Sequence, residues 1–228
     1  LDSTERKDIP PFGFVVDYLT YGGIYREVSL RYVEPVHIEN VFVWTENVLN
    51  PPCTLHFDVQ VVNTSDEDFS GLIGYGYGTT SPRADHTDVD DLDIPAGERV
   101  TVRKQFRVES FGLWSPETPT LAGYVVALAN HKDREDVLVS GGEDYDYVDG
   151  HFGYRVAEFR EDGFYLNGER VQLRGLNRHQ SYPYIGYAAP KRMQRHDADI
   201  LKDELGLNLV RTSHYPQSRH FLDRCDEI

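Results

Sequence analysis

Arg174-Gly175-Leu176-Asn177-Arg178-His179-Gln180 and, farther along, Leu209-Val210-Arg211-Thr212-Ser213-His214-Tyr215-Pro216 share one design: a short apolar run that ends among arginine and histidine. Between them, Met193, His196, Ile200, Leu201 and Leu205 recur at three- and four-residue spacing, which predicts a helix. Pro190 suits its first turn, where the missing N–H is not needed, and Gly206 suits its C-terminal stop. A short strand through Leu207, Leu209 and Val210 follows, then a second helix over 218–228. Strand, helix, strand, helix is the opening of a parallel α/β arrangement. Two parallel strands cannot be covered on both faces, so the pattern predicts the first two βα units of something larger. In a β/α barrel the C-terminal strand ends form the working mouth, and both polar clusters fall there. A lone histidine reads most simply as an ordinary satisfied side chain. Two successive strand ends with the same set favour a site, with His179 and His214 side by side at one rim.

Upstream the pattern is β from Val36 to about Arg155. Val36–Ile38 and Val41–Val43 read as two strands, and Leu55, Phe57, Val59 and Val61 hold period two, as do Val100, Val102, Phe106 and Val108. Val125–Leu128 and Val137–Val139 add two more, with connectors such as Asn50-Pro51-Pro52 and Pro95-Ala96-Gly97-Glu98. About seven short strands across roughly 100 residues fit an immunoglobulin-like sandwich. Residues 75–93, rich in Gly and Asp, read as a loop. Asp162-Gly163 and Asn167-Gly168 are hairpin signals, the second leading into a strand through Val171 and Leu173. At the N-terminal end Phe12–Val16 is apolar, Tyr21-Gly22-Gly23 punctuates, and Ile24–Leu30 alternates as a strand in which Arg26 breaks the apolar set. These are too few strands for an independent sheet, so they read as the tail of a β domain.

Composition narrows the classes. At roughly 100–200 residues per domain, the length predicts one or two domains. With 39% apolar and 27% charged residues the chain is ordinary globular material. No apolar run suffices for a membrane helix. The net charge of −15 opposes phosphate backbones and argues against nucleic-acid partners. Cys53 and Cys225 match no metal-ligand spacing and point to a reducing compartment. No secretion signal is visible, so a cytoplasmic location is expected. The chain opens on Leu1 and its only methionine is Met193, so it is expected to be a piece of a longer polypeptide.

Four blocks together resemble glycoside hydrolase family 2, in its β-galactosidase branch. They are Asp17–Leu30, Leu113-Trp114-Ser115-Pro116-Glu117, Phe152-Gly153-Tyr154-Arg155 with Leu166-Asn167-Gly168, and the two strand-end clusters with Gly186-Tyr187. The resemblance implies a mainly β chain: the tail of a jelly-roll sugar-binding domain at 1–34, an immunoglobulin-like β-sandwich at 35–155, and the incomplete start of a (β/α)8 TIM barrel at 156–228. It implies a retaining glycosidase that releases terminal β-D-galactose through two glutamates on later barrel strands. Glu204 and Glu227 fall on predicted helices and do not match them, so the segment alone is expected to be inactive. By resemblance His179 and His214 contact the sugar, and Arg211 lies near the nucleophile. Asp17 reaches the active site and contacts sugar hydroxyls and sodium, while Asn177 and Arg178 shape the loop. Sodium and magnesium are implied for the parent enzyme, as is a homo-oligomer acting on carbohydrate. A β-glucuronidase of the same family is the alternative, with Gln180-Ser181-Tyr182-Pro183 tipping the choice to galactosidase. From a different class, the chain reads as a non-catalytic β-sandwich module for carbohydrate binding or structure.

Other features take plainer readings. Asn63-Thr64-Ser65 has the form of a glycosylation acceptor but reads as a turn. The acids of 85–93 lack the spacing of a calcium loop and read as a solvated face. Trp114 reads as a packed aromatic rather than a sugar platform, and Tyr182, Tyr184 and Tyr187 are candidate sugar-lining residues. The strands around Leu173 and Leu209 should expose apolar surface.

Overall fold

A computed structural model describes Lys7 and residues 21–78, 84–130, 137–138, 146–213 and 216–228. The chain is mainly β and divides into two units, Arg31–Val171 and a second made of Leu1–Leu30 with Gln172–Ile228.

In the first unit the strands are β1 (Val36–Glu46), β2 (Cys53–Asn63), β3 (Phe69–Gly78), β4 (His86–Ile94), β5 (Arg99–Val108), β6 (Ala122–Ala129) and β7 (Asp146–Phe152). They form two antiparallel sheets, ordered β1-β2-β5 and β4-β3-β6-β7. Strand β2 shows why: Cys53, Leu55, Phe57, Val59 and Val61 are all 0% exposed, every second residue turning inward. They share one core with Ile73, Tyr75 and Tyr77 of β3 and Val126 and Leu128 of β6. The two strands expected at Val36–Ile38 and Val41–Val43 are one, β1, interrupted by a bulge between Ile38 and Asn40. Asp146 holds that bulge, accepting from the Ile38 N–H at 2.9 Å and from Arg31 Nη2 at 2.7 and 2.8 Å.

Within the stretch expected as a loop at 75–93, residues 75–78 are the end of β3 and 86–93 form nearly all of β4, while 79–83 lie outside the described residues. Glycine misled the reading because it serves packing here. The turn at Val137 and Leu138 covers β3, and a Cβ on Gly74 would lie 2.8 Å from Val137 Cγ1. Val137–Val139 is accordingly not a strand where described: Val137 and Leu138 form that turn, and Val139 lies outside the described residues. The acids of β4 are also explained. Asp88 and Asp90 share a face with the buried Leu92 and Ile94, and Lys104 of β5 meets them at 2.7 and 2.9 Å. This partly exposed charge cluster thus joins the edge strands β4 and β5 of the two sheets. Burial opposes the Lys104 charge, but the hydrogen bonds to Asp88 and Asp90 prevail and raise its pKa above the ordinary lysine value.

Asn63 is 0% exposed: its Nδ2 donates to Glu67 O at 2.8 Å, and its Oδ1 accepts from Ser65 N at 3.0 Å. The acceptor-like triplet is therefore a turn. Trp114 is half-buried, with its Cβ against Gly153 and the Arg155 guanidinium 4.9 Å from its ring, a packed position. Strands β8 (Ala157–Arg160), β9 (Gly163–Leu166) and β10 (Glu169–Val171) close this unit as an antiparallel meander. Asn167 (φ 53°) and Gly168 (φ 82°) make its two-residue turn, which needs positive φ at both positions. Leu173 lies beyond β10 rather than within it.

In the second unit β11 (Gly175–Asn177) pairs in parallel with β12 (Leu209–Arg211). Between them lie α1 (Lys191–Asp199) and a π-helical turn over Ile200–Glu204; α2 (Arg219–Glu227) follows. Pro190 is the N-cap of α1 (φ −70°, ψ 161°) rather than its first-turn residue, and Gly206 at φ 63° ends the helical run. The fully buried residues of α1 are Gln194 and Ala198, while the expected apolar stripe lies beside them and Leu205 is 52% exposed. The buried guanidinium of Arg178 claims the inner face of the helix, donating to Gln194 and Asp197. Arg195 to Glu227 (2.5 Å) and Arg224 to Asp199 (2.6 Å) join α1 to α2. Leu176 and Leu209 stand 52% and 42% exposed. Ile24–Leu30 is not a strand: no described strand pairs with it, and Ile24, Val28 and Leu30 are 75%, 75% and 85% exposed. Phe12–Val16 lies outside the described residues.

Candidate functional site

Asn177 and Arg211 are register partners at the ends of β11 and β12, so both chains leave the sheet at one end. The pairing continues one step: Arg178 N–H donates to Arg211 O at 2.9 Å. Close approach begins at Gly175, where a Cβ would lie 2.4 Å from Leu209 O. The side chain of Asn208 fixes the entry to β12, accepting from Arg174 N at 2.7 Å and donating to Gln172 O at 3.0 Å.

Arg178, 6% exposed, is the hub of this end. Its Nε and Nη2 donate to Asp197 Oδ2 at 2.9 and 2.7 Å, Nη2 also donates to Gln194 Oε1 at 2.7 Å, and Nη1 donates to Gln217 Oε1. The guanidinium carbon lies 4.0 Å from the Phe221 ring centroid. A planar fork with fixed donors suits this many partners. Gln194 and Asp197, three residues apart, share one face of α1. Asn177 and Arg211 are exposed and His179 is half-buried. His214 and Asp17 lie outside the described residues, as does the expected pairing of the two imidazoles.

Beyond His179 the chain packs on a segment from the N-terminal part of the same unit. Gln180 is 0% exposed and its Oε1 accepts from Arg26 Nη2. Tyr182 and Gly186 exchange backbone hydrogen bonds of 3.0 Å, closing a loop with Tyr184 at its tip. Gly186 has φ 57° and no room for a Cβ, which would lie 2.8 Å from Tyr21 Cε1. The Tyr187 ring meets those of Tyr21 and Tyr25 edge-on at 4.7 and 5.5 Å. Of the three tyrosines singled out, Tyr187 is thus buried in a cluster, Tyr182 is half-buried, and Tyr184 is exposed.

Gln194, Asp197 and Gln217 escaped the reading of the sequence, and Arg26 and Gln180 were quoted there only within their motifs, without a role. The one available signal was Arg26 interrupting an apolar alternation.

Burial pushes the Tyr182 hydroxyl up to about 12 from 10.0, with the Asp197 carboxylate adding to it. Burial also raises Tyr75 and Tyr154. A raised folded-state pKa stabilises the fold fully below the ordinary tyrosine value, and that contribution is lost as pH climbs through the folded value. An absorbance titration at 295 nm should therefore show some of the 15 tyrosines ionising only near pH 12 or on unfolding. A single wave of all of them near pH 10 would contradict this burial. Burial likewise raises the Cys225 thiol to about 11.

Among the described residues no three His, Cys, Asp or Glu side chains gather as a metal set, and no helix is long and apolar enough to cross a membrane. The sodium expectation rests on Asp17, which lies outside the described residues.

Residues 157–228 match the profile of the glycosyl hydrolases family 2 TIM barrel domain. A β-galactosidase of Thermoanaerobacterium thermosulfurigenes is 42% identical over all of this chain, which covers 30% of that protein. One from Rhizobium meliloti is 36% identical, again over all of this chain and 28% of its own length. The solved β-glucuronidase of Bacteroides uniformis superposes with a TM-score of 0.84 at 30% identity, covering 97% of this chain and 26% of that one. The chain spans about 30% of the length of these curated relatives. On these matches and the parallel β11–β12 pair, the chain belongs to family 2 of the glycosyl hydrolases.

Proposed function

We propose that the chain is part of a retaining glycosidase that releases terminal non-reducing β-D-galactose from β-galactosides. The observation that carries this reading is the parallel register of Asn177 with Arg211, which brings Arg211 to the same edge at which the chain continues into Arg178 and His179. Relatives described as β-galactosidases, 36% to 42% identical over the full chain, support the substrate. In this reading 1–34 is a jelly-roll tail, 35–155 an immunoglobulin-like sandwich and 156–228 the start of a TIM barrel. The two sheets around one core support the sandwich, and the profile match over 157–228 supports the barrel.

The chemistry follows from the side chains. Retaining glycosidases hold a nucleophilic carboxylate and an acid/base carboxyl roughly 5–5.5 Å apart across an oxocarbenium-like transition state. Glu204 sits in the π-helical turn and Glu227 is paired with Arg195 and Arg224, so neither stands at a strand end. This chain therefore supplies supporting groups, with the carboxylate pair on later barrel strands, and by itself turns over no glycoside. His179, as a neutral donor, hydrogen-bonds the sugar and strengthens that bond as ring charge develops. His214 is a second sugar contact. The exposed guanidinium of Arg211 keeps the neighbouring nucleophile ionised. Asp17 takes sugar hydroxyls and sodium, while Asn177 and Arg178 hold the loop; magnesium, a homo-oligomer and a cytoplasmic site complete the reading for the longer enzyme.

A β-glucuronidase is the second reading, favoured by the TM-score of 0.84 to the Bacteroides uniformis enzyme. The enzyme extended through the complete barrel decides between them when assayed on 4-nitrophenyl β-galactoside and β-glucuronide. Galactoside cleavage is expected, glucuronide cleavage alone supports the second reading, and cleavage of neither leaves a non-catalytic sandwich module. In the active protein His179→Ala should lower kcat/KM about 10²-fold, the scale of losing one transition-state donor. An unchanged rate removes the role given to His179.

A further inference from the structure

We propose that Arg26 is a positioning residue, a clamp that ties the loop after β11 to the loop after β12 and so fixes the backbone beside His179. The role of the clamp in turnover rests on the glycosidase reading above; its existence does not. Arg26 Nη1 donates to Tyr187 O at 3.2 Å, while Nη2 donates to Gln180 Oε1 and reaches Pro216 O at 3.5 Å. One guanidinium thereby engages both ends of the 180–187 loop and the first described residue after β12 and its turn. Its Cζ also lies 4.8 Å from the Tyr25 ring centroid, which fixes the plane of the fork.

The surroundings make the contact specific. Gln180 is 0% and Tyr187 6% exposed, so Arg26 meets both acceptors out of water. Tyr21 Oη meets Ser181 Oγ at 3.0 Å, and His220 Nε2 of α2 lies 3.5 Å from Glu27 Oε1, so the 21–27 segment is pinned on either side. Gln180 is the residue after His179, and Pro216 stands two residues beyond His214 in the sequence. Any tilt of Gln180 is passed directly to the His179 backbone, and small misplacements of a transition-state donor cost large factors in rate. A lysine at position 26 would keep the charge and three N–H donors, but on one nitrogen in place of the planar fork, so it cannot span acceptors that Nη1 and Nη2 reach separately.

Two measurements on Arg26→Lys test this, with Arg26→Ala as a second variant. In the 228-residue chain, hydrogen–deuterium exchange should quicken together over 178–188 and 211–217, with the 191–204 helical run unchanged. Exchange unaltered in both loops, or quickened equally throughout the unit, overturns the clamp. In the complete enzyme, Arg26→Lys should lower kcat roughly tenfold or more on the nitrophenyl galactoside with little change in KM or Tm, and this loss should vanish when His179 is already alanine. An equal loss in both backgrounds overturns positioning through His179. Absence of turnover in the unaltered enzyme overturns the glycosidase reading instead, and the exchange result then decides the clamp alone.

Discussion

Arg178→Ala should cost the second unit about 3–5 kcal/mol, the scale of breaking a buried ion pair by removing one partner. The loss is large because the guanidinium serves several groups at once. Asp197 would lose both charged donors, and Gln194, 0% exposed, and Gln217 would lose the N–H groups they accept from. The contact with Phe221, which joins α2 to the same cation, would also go. Both described helices lie in this unit, whereas Trp44 and Trp114, the chain's 2 tryptophans, lie in the other. Urea unfolding followed by ellipticity at 222 nm should therefore shift to lower denaturant, with the tryptophan-fluorescence transition in place. Joint movement of both transitions would show that the units unfold as one. Arg178→Met combined with Asp197→Leu should recover only the part of the loss that comes from the stranded Asp197 charge, because Gln194 and Gln217 still lack the N–H groups they accept from.

Phe57→Ala should produce the converse pattern, lowering the fluorescence transition by about 3–5 kcal/mol and sparing the helical signal. Phe57 is 0% exposed and its ring lies 5.8 Å from Tyr75, 5.7 Å from Phe106 and 6.1 Å from Tyr124, each near edge-on. Those partners come from β3, β5 and β6, so the truncation opens a void between the sheets that neither can fill by a local shift. Edge-to-face aromatic contacts add to the area term. A loss under about 1 kcal/mol would mean the sheets collapse onto the void, contrary to the close packing described.

Legibility in the sequence followed the range of the interactions. Strand β2, the Asn167-Gly168 turn and the β11–α1–β12–α2 order were all readable, because alternation, positive φ and helical spacing act over a few residues. Strand β3 was not readable, because its glycines answer to groups distant in sequence: Gly74 to the Val137–Leu138 turn laid across it, Gly71 to Ala129 O and Gly76 to Val125. The alternation of 24–30 misled for the opposite reason: a strand exists only with a partner to hydrogen-bond, and none of the described residues provides one. At the candidate site the arginine- and histidine-rich strand ends were visible as a repeated pattern, whereas the groups that hold them were not. Arg26 reaches acceptors 154 and 161 residues away, a distance no local pattern records.

By itself, then, the sequence determined strand β2, the Asn167-Gly168 turn, the order of the elements from β11 to α2 and which residue types crowd the ends of β11 and β12, since those depend on side-chain period and backbone preference. Tertiary structure alone decided that Arg178 is a buried hub, that Lys104 draws the acids of β4 inward, and that Arg26 clamps two loops. Each of those is a charge taken from water, and its place is set by whichever partners the rest of the fold brings within hydrogen-bond reach.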